Sequence, residues 1–241
     1  MSCKLCKTGK DLRNSHIIPE FQYAPLYDPK HRFVVLSTDS KRKERLEQKG
    51  FREKLLCGAC ETKLSRWEKY AQKVIFKNET HLVGKNEAAC RIGGIKYADF
   101  KLYLLSLIWR MGVSSLEMFS DVSLGPHEEK IRLLLLADDP GKPGDYPCLM
   151  TGVLFNGKFE PTWITAPDRI KAVGRHCYRI VISGILYCFF VSNRALDFDA
   201  STVAINTDGT FLMRVKHLQD IQFLHKRVEM HSKALNERDS P

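Results

Sequence analysis

The chain has 241 residues, 44% of them hydrophobic and 27% charged, with a formal net charge of +10. These proportions suit a globular protein with one large domain or two small ones. They exclude a membrane-spanning helix: the apolar stretch Leu102 to Trp109 stops at Arg110, short of the ~18–20 residues a span needs.

The N-terminus, Met1-Ser2-Cys3-Lys4, carries no apolar signal region, so a cytoplasmic protein is expected. In that compartment cysteines stay reduced, and C-x-x-C pairs read as metal or redox sites before disulfides. The charge is uneven. Residues 1–85 hold 19 Lys+Arg and 10 Asp+Glu, a net of +9, while residues 86–241 hold 19 and 18, a net of +1. A basic field confined to one segment favours a polyanionic partner.

A first unit is expected over residues 1–76. Cys3-Lys4-Leu5-Cys6 opens it, and Lys7-Thr8-Gly9-Lys10 reads as the turn leaving a zinc knuckle. Ser15-His16-Ile17-Ile18-Pro19 follows, with His16 at a strand end and Pro19 limiting how that strand pairs. Phe33 to Leu36 is a short strand, Lys41 to Arg45 a charge run and Lys49-Gly50 a turn. Phe51 to Leu56 is a strand entering the second knuckle, Cys57-Gly58-Ala59-Cys60. From Ala59 the period becomes helical, with Leu64, Trp67, Ala71 and Val74 on one stripe and Glu61, Ser65 and Glu68 on another face.

Residues 77–95 read as a connector, and residues 96–241 as an α+β domain serving regulation, targeting or oligomerisation. A helix is expected from Tyr97 and another over Glu128 to Ala137, with a loop over Asp138 to Asp145. Strands are expected over Cys148 to Phe155, His176 to Ile182 and Ile185 to Ser192. Thr202–Asn206 and Thr210–Val215 flank Thr207-Asp208-Gly209, a hairpin signal, and a helix from about Leu218 to Leu235 closes the chain. Strand runs between terminal helices argue α+β rather than alternating α/β.

Each C-x-x-C presents two thiolates on a tight turn, and Cys3, Cys6, Cys57 and Cys60 together match the four corners of a structural zinc site. Fifty residues separate the pairs. Cys148, Cys177 and Cys188 fall on apolar strand patterns and read as core. An unperturbed pKa near neutrality suits His16 to act as a general base toward water attacking a phosphate. Glu61, after the last cysteine, offers a hard oxygen to Mg²⁺ or Mn²⁺, although acidic residues also favour helix N-termini without a metal.

The series C-x-x-C, x-His-Ile-Ile-Pro, Leu-Cys-x-x-Cys resembles the HNH endonuclease family in its version with a structural zinc, over residues 1–75. The resemblance implies a ββα-metal core in a zinc-bound treble clef and hydrolysis of nucleic-acid phosphodiesters with one divalent cation. It makes His16 the general base, the four cysteines the zinc ligands, and Glu61 the occupant of the position of the family's last histidine, a catalytic-metal ligand. Three positions differ: Ser15 stands where the family carries Asp or His, the orienting Asn falls near Arg52, and the last His is Glu61. Arg52 is then expected to stabilise charge developing on the phosphate. Arg13, Lys54, Lys63 and Arg66 are expected to hold the backbone of the nucleic acid, with DNA the expected substrate. Tyr23, Tyr27 and Phe21 either stack on bases or pack on the zinc core. By analogy, compact nucleases of this family often occur in bacterial defence against phage or in mobile elements. The alternative is a catalytically inactive zinc module that binds nucleic acid or another protein. A second copy or a protein partner would engage residues 96–241.

Overall fold

The computed structural model describes residues 2–36, 41, 43–77, 81–85 (backbone), 89–192 and 203–239. It is a mixed α+β protein. Strand β1 (Leu12–His16) is followed by a short helix α1 (Glu20–Tyr23), then by β2 (Arg32–Val35) and β3 (Arg45–Gln48), which pair with each other. Strand β4 (Arg52–Cys57) returns antiparallel to β1 and runs directly into helix α2 (Gly58–Phe76). The β1–β4 register sets Leu12 opposite Cys57 and His16 opposite Arg52, with a bulge at Arg13/Asn14. The buried hydroxyl of Ser15 accepts a hydrogen bond from the Leu56 N–H at 3.1 Å, so this residue is a structural pin of the strand pair.

Residues 77–95 are more than a connector. They supply β5 (His81–Lys85) and β6 (Ala89–Gly93), which pair antiparallel with each other. Helix α3 (Tyr97–Val113) and helix α4 (Pro126–Ala137) follow. Next come β7 (Cys148–Phe155), β8 (Lys158–Phe159), β9 (Asp168–Ala172), β10 (Arg175–Ile182), β11 (Ile185–Phe190) and β12 (Phe211–His217), then helix α5 (Gln222–Asp239). One eight-stranded sheet results, in the order β5-β6-β12-β7-β11-β10-β9 with β8 beside β7. All its pairings are antiparallel except β12 with β7.

The expected Thr202–Val215 hairpin is corrected. Thr202 lies outside the described residues. The tight turn is present, with the Asn206 N–H bonded to the Thr210 carbonyl at 2.9 Å, but residues 203–206 are not a strand. Strand β12 pairs instead with the distant β6 and β7. The turn presses on the start of α3: Gly209, at φ +76°, has room for no Cβ, which would meet the Ile95 carbonyl oxygen at 2.1 Å. Local turn chemistry was read correctly there, and long-range pairing decided the partner.

Strand alternation places two faces of the sheet in two environments. Tyr178, Ile180, Ile182, Tyr187 and Phe189 join the main core, while Val181 and Leu186 pack with Leu218, Ile221 and Leu224 beneath α5. Helix α3 is buried at every residue from Phe100 to Met111, as expected of a helix enclosed on all sides. Its Lys101 is also buried and donates to the carbonyls of Asp145 and Tyr146 at 2.6 and 3.1 Å; burial pushes its pKa down to about 8. The main core is continuous: Cys3, Leu5, Ile17, Tyr23 and Trp67 belong to the same cluster as Trp109, Tyr187 and Phe211. The N-terminal unit therefore packs on α3 and the sheet. Ser183, in the two-residue β10–β11 turn, reinforces this by donating to the Gln22 side-chain oxygen at 2.5 Å, and Gln22 donates to the Tyr103 hydroxyl at 2.6 Å.

Candidate metal centre and histidine pocket

The sulfurs of Cys3, Cys6, Cys57 and Cys60 all lie within 4.8 Å of one another. Zn–S bonds of about 2.3 Å in a tetrahedron imply sulfur separations of about 3.8 Å, and the Cys6–Cys57 pair lies at 3.8 Å. The first knuckle is built by Lys7 at φ +65° and by hydrogen bonds from the Thr8 hydroxyl and the Gly9 N–H to the Cys6 sulfur, at 3.4 and 3.3 Å. Gly9 has a packing reason: a Cβ there would meet the Cys57 Cβ at 2.5 Å. The second knuckle runs into the α2 N-terminus, whose partial positive charge favours thiolates.

These donors pull the Cys6 thiol down to about 5, while burial pushes Cys60 up. The opposite directions have one physical meaning. Four crowded sulfurs cannot all ionise unless a cation joins them, and zinc would supply that charge. Helix α4 clamps the site from outside: the buried Arg132 donates to the Leu5 carbonyl, between the two cysteines, and pairs with Glu129 at 2.7 Å. Four cysteines at this spacing fit a structural zinc.

His16 ends β1 with its side chain 23% exposed. Its Nε2 lies 2.5 Å from Glu20 Oε2. The approach is off the hydrogen-bonding line, and neither atom has a hydrogen-bond partner. Glu20 Oε1 accepts from the Tyr27 hydroxyl at 2.8 Å and faces His31 Nε2 at 3.4 Å; the Tyr27 and His31 rings stack at 3.7 Å. Arg52 reaches Glu20 Oε2 at 3.9 Å and donates from Nε to the Lys49 carbonyl at 2.6 Å. Behind the pocket, the buried Arg110 of α3 donates to the His16 carbonyl at 2.9 Å and to Glu68 at 2.6 Å. Burial lowers the His16 pKa below the ordinary histidine value and Arg52 lowers it further, while Glu20 and Glu68 act in the opposite direction.

The structure thus brings His16 and Arg52 together but sets Glu61 apart. The carboxylate at the His16 ring is Glu20, and the α2 carboxylate at its level is Glu68. Glu61 lies seven residues earlier on α2, about 10 Å along the axis. Glu61 Oε1 is buried without a hydrogen-bond partner, which suits a cation. Yet among the described residues the four cysteines form the one group of three or more His, Cys, Asp or Glu side chains close enough to share an ion. No second cluster of that kind among the described residues supports a catalytic Mg²⁺ or Mn²⁺.

Of the four basic residues expected on nucleic acid, two are engaged elsewhere. Lys63 and Arg66 meet Asp138, the residue capping the α4 C-terminus, at 2.9 and 2.8 Å. Arg13 is exposed beside Asp11 at 3.4 Å, and Lys54 is exposed with Nζ on the Leu12 carbonyl at 3.1 Å. Tyr23 is fully buried, Phe21 packs on Phe76 and Tyr103, and Tyr27 donates to Glu20, so the first two rings belong to the core and the third to the pocket. Sequence reasoning missed Glu20, His31 and Arg110. The one signal available was the four-residue spacing of His16 and Glu20 across Pro19. In comparison with known proteins, no family model matches this chain, and neither does any curated protein or any solved structure.

Proposed function

We propose that this protein hydrolyses phosphodiester bonds of nucleic acid, with His16 as general base in a zinc-held unit of treble-clef, HNH-like type. The observation that carries this reading is His16 at the end of β1, directly across from Arg52 on β4, in the segment that holds +9 of the net charge of +10. A histidine whose pKa is lowered by burial and by Arg52 is neutral at neutral pH and free to take a proton. A water oxygen attacks phosphorus, its proton passes to the imidazole, the bond from phosphorus to the sugar oxygen breaks, and that oxygen takes a proton from solvent. The Arg52 guanidinium faces charge developing on the phosphate, and Arg13 and Lys54 hold the flanking backbone. Zinc keeps the two knuckles together and takes no part in that step. DNA is the proposed substrate and the cytoplasm the proposed location; among the described residues no helix is long and apolar enough to cross a membrane.

One observation favours a second reading, a zinc module that binds nucleic acid without cutting it: the described residues assemble no second cation site. Incubation of supercoiled plasmid with excess protein, with and without Mg²⁺, Mn²⁺ or Ni²⁺, separates the two. Nicking by the wild type and its loss in His16→Ala supports the nuclease. Intact plasmid under every condition, together with salt-sensitive DNA binding, supports the binding module.

A further inference from the structure

The His16 pocket contains a residue that the reading above leaves without a role. Glu20 opens α1 directly after Pro19, and its two oxygens are divided between two sets of partners. Oε2 faces His16 Nε2 at 2.5 Å and the Arg52 guanidinium at 3.9 Å. Oε1 takes the Tyr27 hydroxyl at 2.8 Å and faces His31 at 3.4 Å. A surface glutamate at a helix start needs only solvent. This one meets groups from the segment after α1 and from β4, and its Oε2 faces the imidazole.

We propose that Glu20 is the positioning residue for His16, fixing the ring so that Nε2–H faces the carboxylate and Nδ1 presents its lone pair to the attacking water. This rests on the nuclease reading for its catalytic meaning, but the pairing itself does not. A carboxylate against one imidazole nitrogen selects the tautomer and orientation of the ring and raises the basicity of the other nitrogen. The off-line approach is consistent with that role, because catalytic hydrogen bonds often align only when substrate closes the site. The Tyr27 hydroxyl, its ring stacked on His31, donates to Oε1 and leaves Oε2 toward His16. The charged groups facing His16 are Glu20 from α1, Arg52 from β4 and Glu68 from α2, with Arg110 of α3 on its carbonyl. Glu20 and Glu68 favour the imidazolium and Arg52 opposes it.

The experiment follows His16 by imidazole ¹⁵N NMR in the zinc-loaded full chain, in wild type, Glu20→Gln, Glu20→Asp and Arg52→Gln, beside nicking kinetics of the same proteins. Glu20→Gln keeps the shape and the acceptor for Tyr27 while removing the charge. The His16 titration midpoint is expected to fall by about one pH unit in Glu20→Gln, the low end for a close opposite charge because the pair is partly exposed, and to rise in Arg52→Gln. The wild-type neutral ring, read above its titration midpoint, is expected in the Nε2–H form, with partial retention in Glu20→Asp. In nicking, Glu20→Gln lowers kcat about tenfold or more with KM little changed, since Glu20 does not touch the phosphate. An unchanged midpoint and tautomer in Glu20→Gln overturns the assignment, because a merely structural glutamate would not move them. If the wild type cuts nothing while the midpoint still shifts, the nuclease reading fails and the Glu20–His16 pairing stands.

Discussion

The cysteine clasp and the histidine pocket lie in the same N-terminal unit, yet they are built in different ways. At the clasp, four like groups converge, their sulfurs all within 4.8 Å of one another. In the pocket, unlike groups pair off: His16 with Glu20, Arg52 with Glu20 and Lys49, Glu68 with Arg110. The clasp is therefore fitted to a metal, whereas the pocket's groups pair among themselves and, among the described residues, form no further cluster of three or more ligands. One candidate metal site and one charge network thus share the N-terminal unit.

The contrast breaks most visibly if the clasp is dispensable. Structural zinc contributes on the order of 10 kcal/mol to small zinc domains, and this clasp is also part of the main core through Cys3, Leu5 and Cys60. Cys60→Ala, or a strong chelator, is expected to give the largest destabilisation, read as loss of the single bound zinc and a lowered thermal midpoint. An unchanged midpoint with zinc absent would mean that the core alone holds the unit.

Arg110 comes next. It is 2% exposed and joins α3 to both Glu68 and the His16 carbonyl. Arg110→Met leaves Glu68 unpaired, and about 3–5 kcal/mol of stability is expected to be lost in denaturant unfolding. Zinc content should stay at one per chain, which separates this effect from the clasp. Ser15→Ala removes the acceptor of the Leu56 N–H inside the β1–β4 pair. A loss of about 1–3 kcal/mol is expected, and a neutral result would show that the bulge relaxes to pair that N–H elsewhere.

The smallest effects test the basic residues. Lys63→Ala and Arg66→Ala break partly exposed pairs with Asp138, so stability should change by about 1 kcal/mol or less and the salt dependence of DNA binding should hold. Arg13→Ala and Lys54→Ala should each reduce the slope of binding against salt by about one. The reverse pattern would move the nucleic-acid face to the α2–α4 side.

The two regions also differ in how far the sequence reveals them. The clasp is legible because each knuckle is local: ligand spacing, the Gly9 turn and the start of α2 all lie within a few residues of a cysteine. The helices and most strands are legible for the same reason, through runs of periodic apolar residues. The pocket is not. His16 stands out, but its neighbours come from α1, β4, α2 and α3, and only the register of β1 on β4 places Glu68 rather than Glu61 beside it. Glu68 reads as a solvated helix residue until Arg110, 42 positions away, meets it. Strands β5 and β6 fail for a related reason: five-residue segments interrupted by glycine carry little pattern of their own, and β6 is fixed by pairing with β12.

The central claim is that His16 acts as a base on a nucleic-acid phosphate. The most direct test is the single-turnover cleavage rate of wild type against His16→Ala on one plasmid substrate, with zinc content and thermal midpoint matched. A general base contributes about 10²–10⁴-fold, so a loss of that size is predicted. The wild-type rate should rise with pH to a plateau whose midpoint lies below the ordinary histidine pKa, because burial and Arg52 lower it. Equal rates in the two proteins, or a midpoint that does not follow His16, would contradict the account.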